Sequence, residues 1–248
     1  MNDISFETAL SARVDQMCDA CTRCGKCVEA CPSVSPAGIA KEKPEDVIGG
    51  IIDIIRHGDG PDASRKWAQS CMLSGECIKA CDEGVNPRFL LGMARVAMAK
   101  AKDDVATQRR AAVEGFRKVA RDVNTLSRLQ LDDALLARLG QKSASVAVPA
   151  EPPDFVFYTG CNVLKTPHIA LLALDVMDAL GISYEVMGAD PCCGVQQLCA
   201  GDLATFGRVA ENTFDKLARS KTGEVLSSCH VQFTEMTRSR RPAAQSLT

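Results

Sequence analysis

The chain has 248 residues and a formal net charge of −2, with 29 Lys and Arg set against 31 Asp and Glu, so no basic nucleic-acid surface is expected. Aromatic residues make up only 4%, which leaves Leu, Val, Ile, Ala and Met to build the core and suits packed helices. Thirteen cysteines follow an N-terminus, MNDISFETAL, that lacks the basic region and apolar core of a secretory signal, so thiolate–metal chemistry in a reducing, cytoplasmic compartment is expected in place of disulfides. Apolar runs such as Ile169 to Leu174 are stopped by charges well short of the about 18 residues a membrane span needs. No transmembrane segment is expected, and peripheral association with a membrane stays open.

The first informative element is Cys21-x2-Cys24-x2-Cys27-x3-Cys31-Pro32. This is the spacing of an iron–sulfur cube, in which the first three thiolates wrap one cluster and the fourth reaches the second of a pair. Short spacers coil the chain tightly enough for thiolates to approach from several directions. They also leave backbone N–H groups free to face the cluster sulfurs. Gly25 permits close backbone approach. Structural zinc usually pairs two separate Cys-x2-Cys halves and does not string four cysteines in one run.

Pro44 to Gln69 follows, with a short apolar helix predicted over Val47 to Ile55 and a turn at Gly58 to Pro61. Then Cys71-x2-Ser74-Gly75-x-Cys77-x3-Cys81 repeats the first run. Ser74 replaces its second cysteine, and Asp82 replaces the proline. The repeat predicts a mostly helical two-cluster ferredoxin-like unit. In that arrangement Cys21, Cys24, Cys27 and Cys81 hold cluster one, while Cys31, Cys71 and Cys77 hold cluster two. Serine is a poor ligand for iron beside soft thiolates. Cluster two is therefore expected as a three-iron cluster, or as a four-iron cluster with a ligand other than cysteine at the Ser74 position. Cys18, one more step upstream, either packs in the core or supplies the missing thiolate.

A helical pattern runs from Pro87 to about Leu139, with further helical stretches at Ala111 to Val123 and Asp132 to Leu139. Residues 1–140 form the first expected domain, and the Ser/Ala/Pro-rich stretch 141–154 reads as a linker. Residues 155–237 change periodicity. Strand-like runs at Phe155 to Thr159, Ile182 to Met187 and Val225-Leu226 alternate with helices at Pro167 to Leu180 and Leu203 to Ala218. This predicts an α/β domain with a parallel sheet. Cys161, Cys192, Cys193 and Cys229 fall just after the strand ends, where such sheets gather ligands. The basic, Pro/Ala-rich 238–248 reads as a tail.

Cys161, then Cys192-Cys193-Gly194, then Cys229 resembles the cysteine-rich CCG domain, and Gly201-Asp202 is also similar to it. That domain occurs in the B subunit of heterodisulfide reductase and in iron–sulfur subunits of glycolate oxidase, lactate-utilisation and anaerobic glycerol-3-phosphate dehydrogenase complexes. The first half resembles the C subunit of heterodisulfide reductase, so the whole looks like a fusion of the C and B subunits. The resemblance implies a ligand set for a further 4Fe-4S cluster at Cys161, Cys192, Cys193 and Cys229, a catalytic role for those thiolates in disulfide chemistry, and a flavoprotein among the partner subunits. Two departures stand against a complete disulfide-reducing site. Gln232 occupies the position of the motif's last cysteine, and only 19 residues follow Cys229, so the chain reads as truncated after one CCG domain.

Core packing is the expectation for Cys199, and a surface position for His230. His57 and His168 belong to no constellation, and the helix Lys and Arg read as solvated faces. No Gly-rich phosphate loop implies a nucleotide or flavin site. The expected function is an iron–sulfur electron-transfer subunit of a heterodisulfide reductase-like complex. The alternative is the iron–sulfur subunit of a flavin-linked 2-hydroxy acid or glycerol-3-phosphate dehydrogenase complex.

Overall fold

The computed structural model describes residues 6–140, 152–188, 192–220, 222 and 224–227. These fall into two units, one made of residues up to 112 with 196–204, the other of 113–195 with the described residues from 205 onward.

The first unit is helical. Its elements are α1 (Phe6–Ala20), α2 (Lys26–Glu29), α3 (Pro44–His57), α4 (Asp62–Gln69), α5 (Glu76–Lys79) and α6 (Pro87–Lys102). Helix α3 starts with Pro44 in its first turn, where the missing N–H costs nothing, and ends at Gly58 in the left-handed conformation. Val47, Ile48, Ile51, Ile52 and Ile54 are all buried, so the apolar stripe outweighs the weak helix propensity of isoleucine. Helix α6 is capped by Asn86, whose Oδ1 accepts from the backbone N–H of Phe89 at 3.0 Å. Its buried Phe89, Leu90, Leu91, Met93, Ala94 and Val96 pack on α3 and α4. Trp67 of α4 lies fully inside this core.

The two cysteine runs fold alike, as their repeat requires. Arg23 and Leu73 both have positive φ, as do Gly25 and Gly75 two residues later, at +82° and +80°. Each glycine starts a four-residue helix, α2 or α5. Val28 N–H donates to the Gly25 carbonyl at 2.8 Å, and Ile78 N–H to that of Gly75 at 2.9 Å. The two short helices touch. Lys26 forms an ion pair with Asp82, the residue that stands in place of the proline.

The division between units falls within α7 (Val105–Gln130), which α8 (Asp133–Arg138) follows. The second unit holds a parallel sheet of β1 (Phe155–Tyr158), β2 (Tyr184–Met187) and β3 (Val225–Ser227) in the order β2-β1-β3. Phe157 pairs with Val186 on one side and with Leu226 on the other. A short 3-10 turn (Asn162–Lys165) and α9 (Pro167–Ala179) lead from β1 to β2. Helices α10 (Val195–Cys199) and α11 (Leu203–Arg219) lie between β2 and β3 in the chain. Leu139, Phe157, Leu174 and Met177 form part of this unit's core. Arg138 reaches from α8 to Asp175 and Asp178 of α9 at 2.7 and 2.6 Å.

The architecture is thus a helical unit joined to an α/β parallel-sheet unit, as the sequence predicts. Periodicity alone does not mark α1 and α4 as separate elements. Among the described residues no helix is long and apolar enough to cross a membrane. The predicted linker lies almost wholly outside the described residues, as does the tail.

Candidate metal centre

Four thiols from both runs ring one cavity. Cys21, Cys24, Cys27 and Cys81 line it, together with Gly25, Ile48, Val85, Pro87 and Leu90. Burial raises the Cys27 thiol to about 12, helped by the negative charge that Cys21, Cys77, Cys24 and Cys81 carry when ionised. Cys21 is raised for the same first reason, with Cys81 and Cys24 among its neighbours. In the metal-free chain Cys21 and Cys27 therefore hold their protons, and an electropositive centre must displace them.

Cys77, Cys71 and Cys31 form a second group. Burial raises Cys77 to about 11, Cys71 and Cys31 add to the effect, and Arg88 opposes it. The indole Nε1 of Trp67 donates to Cys31 Sγ at 3.3 Å. Ser74 lies exposed in the loop, as its counterpart Cys24 does. The influence of Cys77 on Cys27 sets the two groups side by side. Cys18 is buried in α1, where its neighbours include Arg56, Asp15, Asp19 and Cys21, and burial raises it to about 11.

Among the described residues no three His, Cys, Asp or Glu side chains converge on a site for a single ion. The thiols surround a space. Four thiols about one space match the ligand number of a cube, in which each thiolate bonds to a different iron.

Arg88 corrects the reading of the helix cations as solvated. It is 6% exposed, and its Nε has no hydrogen-bond partner. Burying a guanidinium whose Nε lacks a partner is costly, and its charge reaches Cys77. An anionic cluster on Cys31, Cys71 and Cys77 would supply the missing counter-charge, so the residues present fit the group. An arginine in a helix carries no sequence signal of burial, which is why periodicity misses it.

In the second unit Cys161 follows β1 and Cys192-Cys193 follow β2, at the carboxyl edge of the sheet. With the order β2-β1-β3 the chain reverses its direction of travel at β1, and the crevice at such a reversal is where open parallel sheets bind ligands. Cys193 is buried and Cys161 exposed, close enough for the charge of one to act on the other. Cys192 is drawn down to about 6 because its thiolate accepts from the Cys193 thiol, and Cys193 is raised by the same bond and by burial. Thr213 Oγ1 donates to the Cys192 carbonyl at 2.7 Å. Gly194 has φ +73°, and a Cβ there would meet the Phe206 ring at 2.7 Å, so the glycine of the motif is fixed by packing. Cys229, His230 and Gln232 lie outside the described residues.

The expectation for Cys199 is corrected: it is exposed on α10, too near the end of a five-residue helix to be covered. Burial of its surroundings raises the thiol, and Arg95 opposes that. Asp202 is buried, with Arg109 at 3.9 Å. His57 and His168 are exposed.

Residues 20–86 match the family of 4Fe-4S dicluster domains. The chain is similar to the D subunit of the dihydromethanophenazine:CoB–CoM heterodisulfide reductase of Methanosarcina acetivorans, 24% identical over 85% of the chain and 54% of the relative. It is 22% identical to the D subunit of the Methanosarcina mazei enzyme, over 85% of the chain and 54% of that protein. The chain spans about half the length of these curated relatives. No solved structure matches it. The chain therefore carries a 4Fe-4S dicluster domain over residues 20–86 and is weakly similar over most of its length to heterodisulfide reductase D subunits.

Proposed function

We propose that the chain is an electron-transfer subunit of a heterodisulfide reductase-like complex, carrying single electrons to or from thiol–disulfide chemistry. The observation behind this is the placement of seven thiols in two adjacent groups, Cys21, Cys24, Cys27 and Cys81 beside Cys31, Cys71 and Cys77. The first group would hold a 4Fe-4S cluster. The second, one thiolate short at Ser74, would hold a three-iron cluster or a four-iron cluster with a different fourth ligand. Bound clusters supply one-electron transfer. The chain's own part is to hold the thiolates in place and to keep water from the first site with Ile48, Val85 and Leu90. The low-lying Cys192 thiolate and its Cys193 partner, with Cys161 and Cys229, form the proposed ligand set for a further cluster, or a place where sulfur chemistry meets the relay. Partners are the other polypeptides of the complex, a flavoprotein among them.

The test is anaerobic purification of the full chain, with iron and sulfide content and EPR. Two signals from the dicluster half are expected, both reduced reversibly by a viologen. Steady turnover of a heterodisulfide by the chain alone is not expected, because Gln232 offers an amide where the motif has a thiolate. A single cluster would refute the two-site reading, and sustained disulfide reduction would refute the electron-transfer role.

A further inference from the structure

We propose that Arg88 is a positioning residue of the second site: its buried guanidinium adds positive charge where one thiolate is already missing and, together with Trp67, makes that cluster the more easily reduced of the pair. The proposal rests on the two-cluster reading above and goes beyond ligand assignment.

Three observations carry it. Arg88 is 6% exposed and its Nε has no partner, although charged side chains are rarely buried without one. It sits in the first turn of α6, which packs against α5, the helix that carries Cys77, and its charge acts on that thiol. On another side of the same group, Trp67 gives its indole N–H to Cys31 Sγ. The second site therefore has a buried cation on the helix packed against α5 and a buried N–H donor bonded to one of its sulfur ligands.

The first site differs. Of the charged residues lining it, Lys26 is engaged by exposed Asp82, and Glu83 is an acid on the rim. Accepting an electron adds one negative charge to a cluster. A nearby desolvated cation and N–H···S bonds stabilise the reduced form more than the oxidised form. Fewer thiolates act in the same direction, since the cluster starts less negative. All three differences favour the second site as the resting place of the electron.

The consequences for stability have opposite signs in the two forms of the protein. In the metal-free chain Arg88 is a buried charge with an unbonded Nε, and Arg88→Met, which keeps most of the side-chain volume, is expected to leave melting unchanged or raise it. In the cluster-loaded chain the same substitution removes a counter-charge and is expected to lower the melting temperature. A guanidinium that served only as packing would shift both forms alike.

The experiment is an EPR-monitored redox titration of cluster-loaded wild type, Arg88→Met and Arg88→Lys. Arg88→Met should move the midpoint of the Cys31, Cys71 and Cys77 signal to lower potential and leave the Cys21, Cys24, Cys27 and Cys81 signal in place. Arg88→Lys, which keeps the charge and loses the Nε donor, should recover part of the shift. If Arg88→Met does not fold, Trp67→Phe reads the same field through the other donor and should lower the same midpoint by a smaller step. An unmoved second midpoint in whichever of these variants loads its clusters overturns the proposal, as does an equal shift of both signals. Failure of the underlying reading is seen separately, as wild-type protein with iron and sulfide for only one cluster.

Discussion

Gly25→Ala is expected to cost about 2–5 kcal/mol and to empty the site of Cys21, Cys24, Cys27 and Cys81, while Gly75→Ala costs only about 1–2 kcal/mol and leaves the other site loaded. The two glycines have the same left-handed φ, so the strain of adding a side chain is common to both. Their surroundings are not. A Cβ on Gly25 would lie 2.7 Å from Pro44 Cβ and 3.0 Å from the Glu45 backbone nitrogen, against the rigid first turn of α3. A Cβ on Gly75 would meet nothing within 4 Å. The loop between Cys24 and Cys27 must therefore move away from α3, carrying two ligands with it, whereas the second loop can absorb the change. Iron content and thermal melting of the two variants check this. Equal damage from both substitutions would mean that the contact with α3 does not fix the first loop.

Cys81→Ala and Cys21→Ala are expected to abolish the same EPR signal, each removing roughly half of the dicluster iron, and Cys31→Ala and Cys71→Ala the other signal. The pairing crosses the repeat. Cys81 ends the second run but lines the cavity of the first, and Cys31 ends the first run but acts on Cys77. The crossing follows from the turn after each four-residue helix. Cys31 N–H donates to the Val28 carbonyl and Cys81 N–H to that of Ile78, so the two fourth cysteines are held at the ends of α2 and α5, two helices that touch. If Cys81→Ala removes the signal that Cys71→Ala removes, each run holds its own cluster and the crossed assignment fails.

Much of this is legible in the residues. The repeat of Cys21 to Cys31 in Cys71 to Cys81 announces two alike loops, and the loops share even the positions of their left-handed residues. The three strands follow from short β-rich runs closed by glycine or cysteine. Other features leave no mark. Helix α1 buries only Leu10, Met17 and Cys18 among its described residues, too sparse a stripe to stand out. Helix α10 is too short for any period to register. Arg23 and Leu73 take left-handed conformations without being glycine, because the turns around them dictate it. Arg88 is inward-facing only through its tertiary neighbours, which a local pattern cannot encode.

The chain contains one tryptophan, and it is the residue bonded to Cys31. Its indole is wholly removed from water, so the protein has a single, buried indole touching one thiol of the second group. An iron–sulfur cluster bound to Cys31 would quench such a ring, and its departure would restore the light. If Cys31, Cys71 and Cys77 hold a cluster, emission near the ultraviolet would be a built-in gauge of its occupancy, readable in a stopped-flow cell while air, chelator or a partner protein acts on the chain.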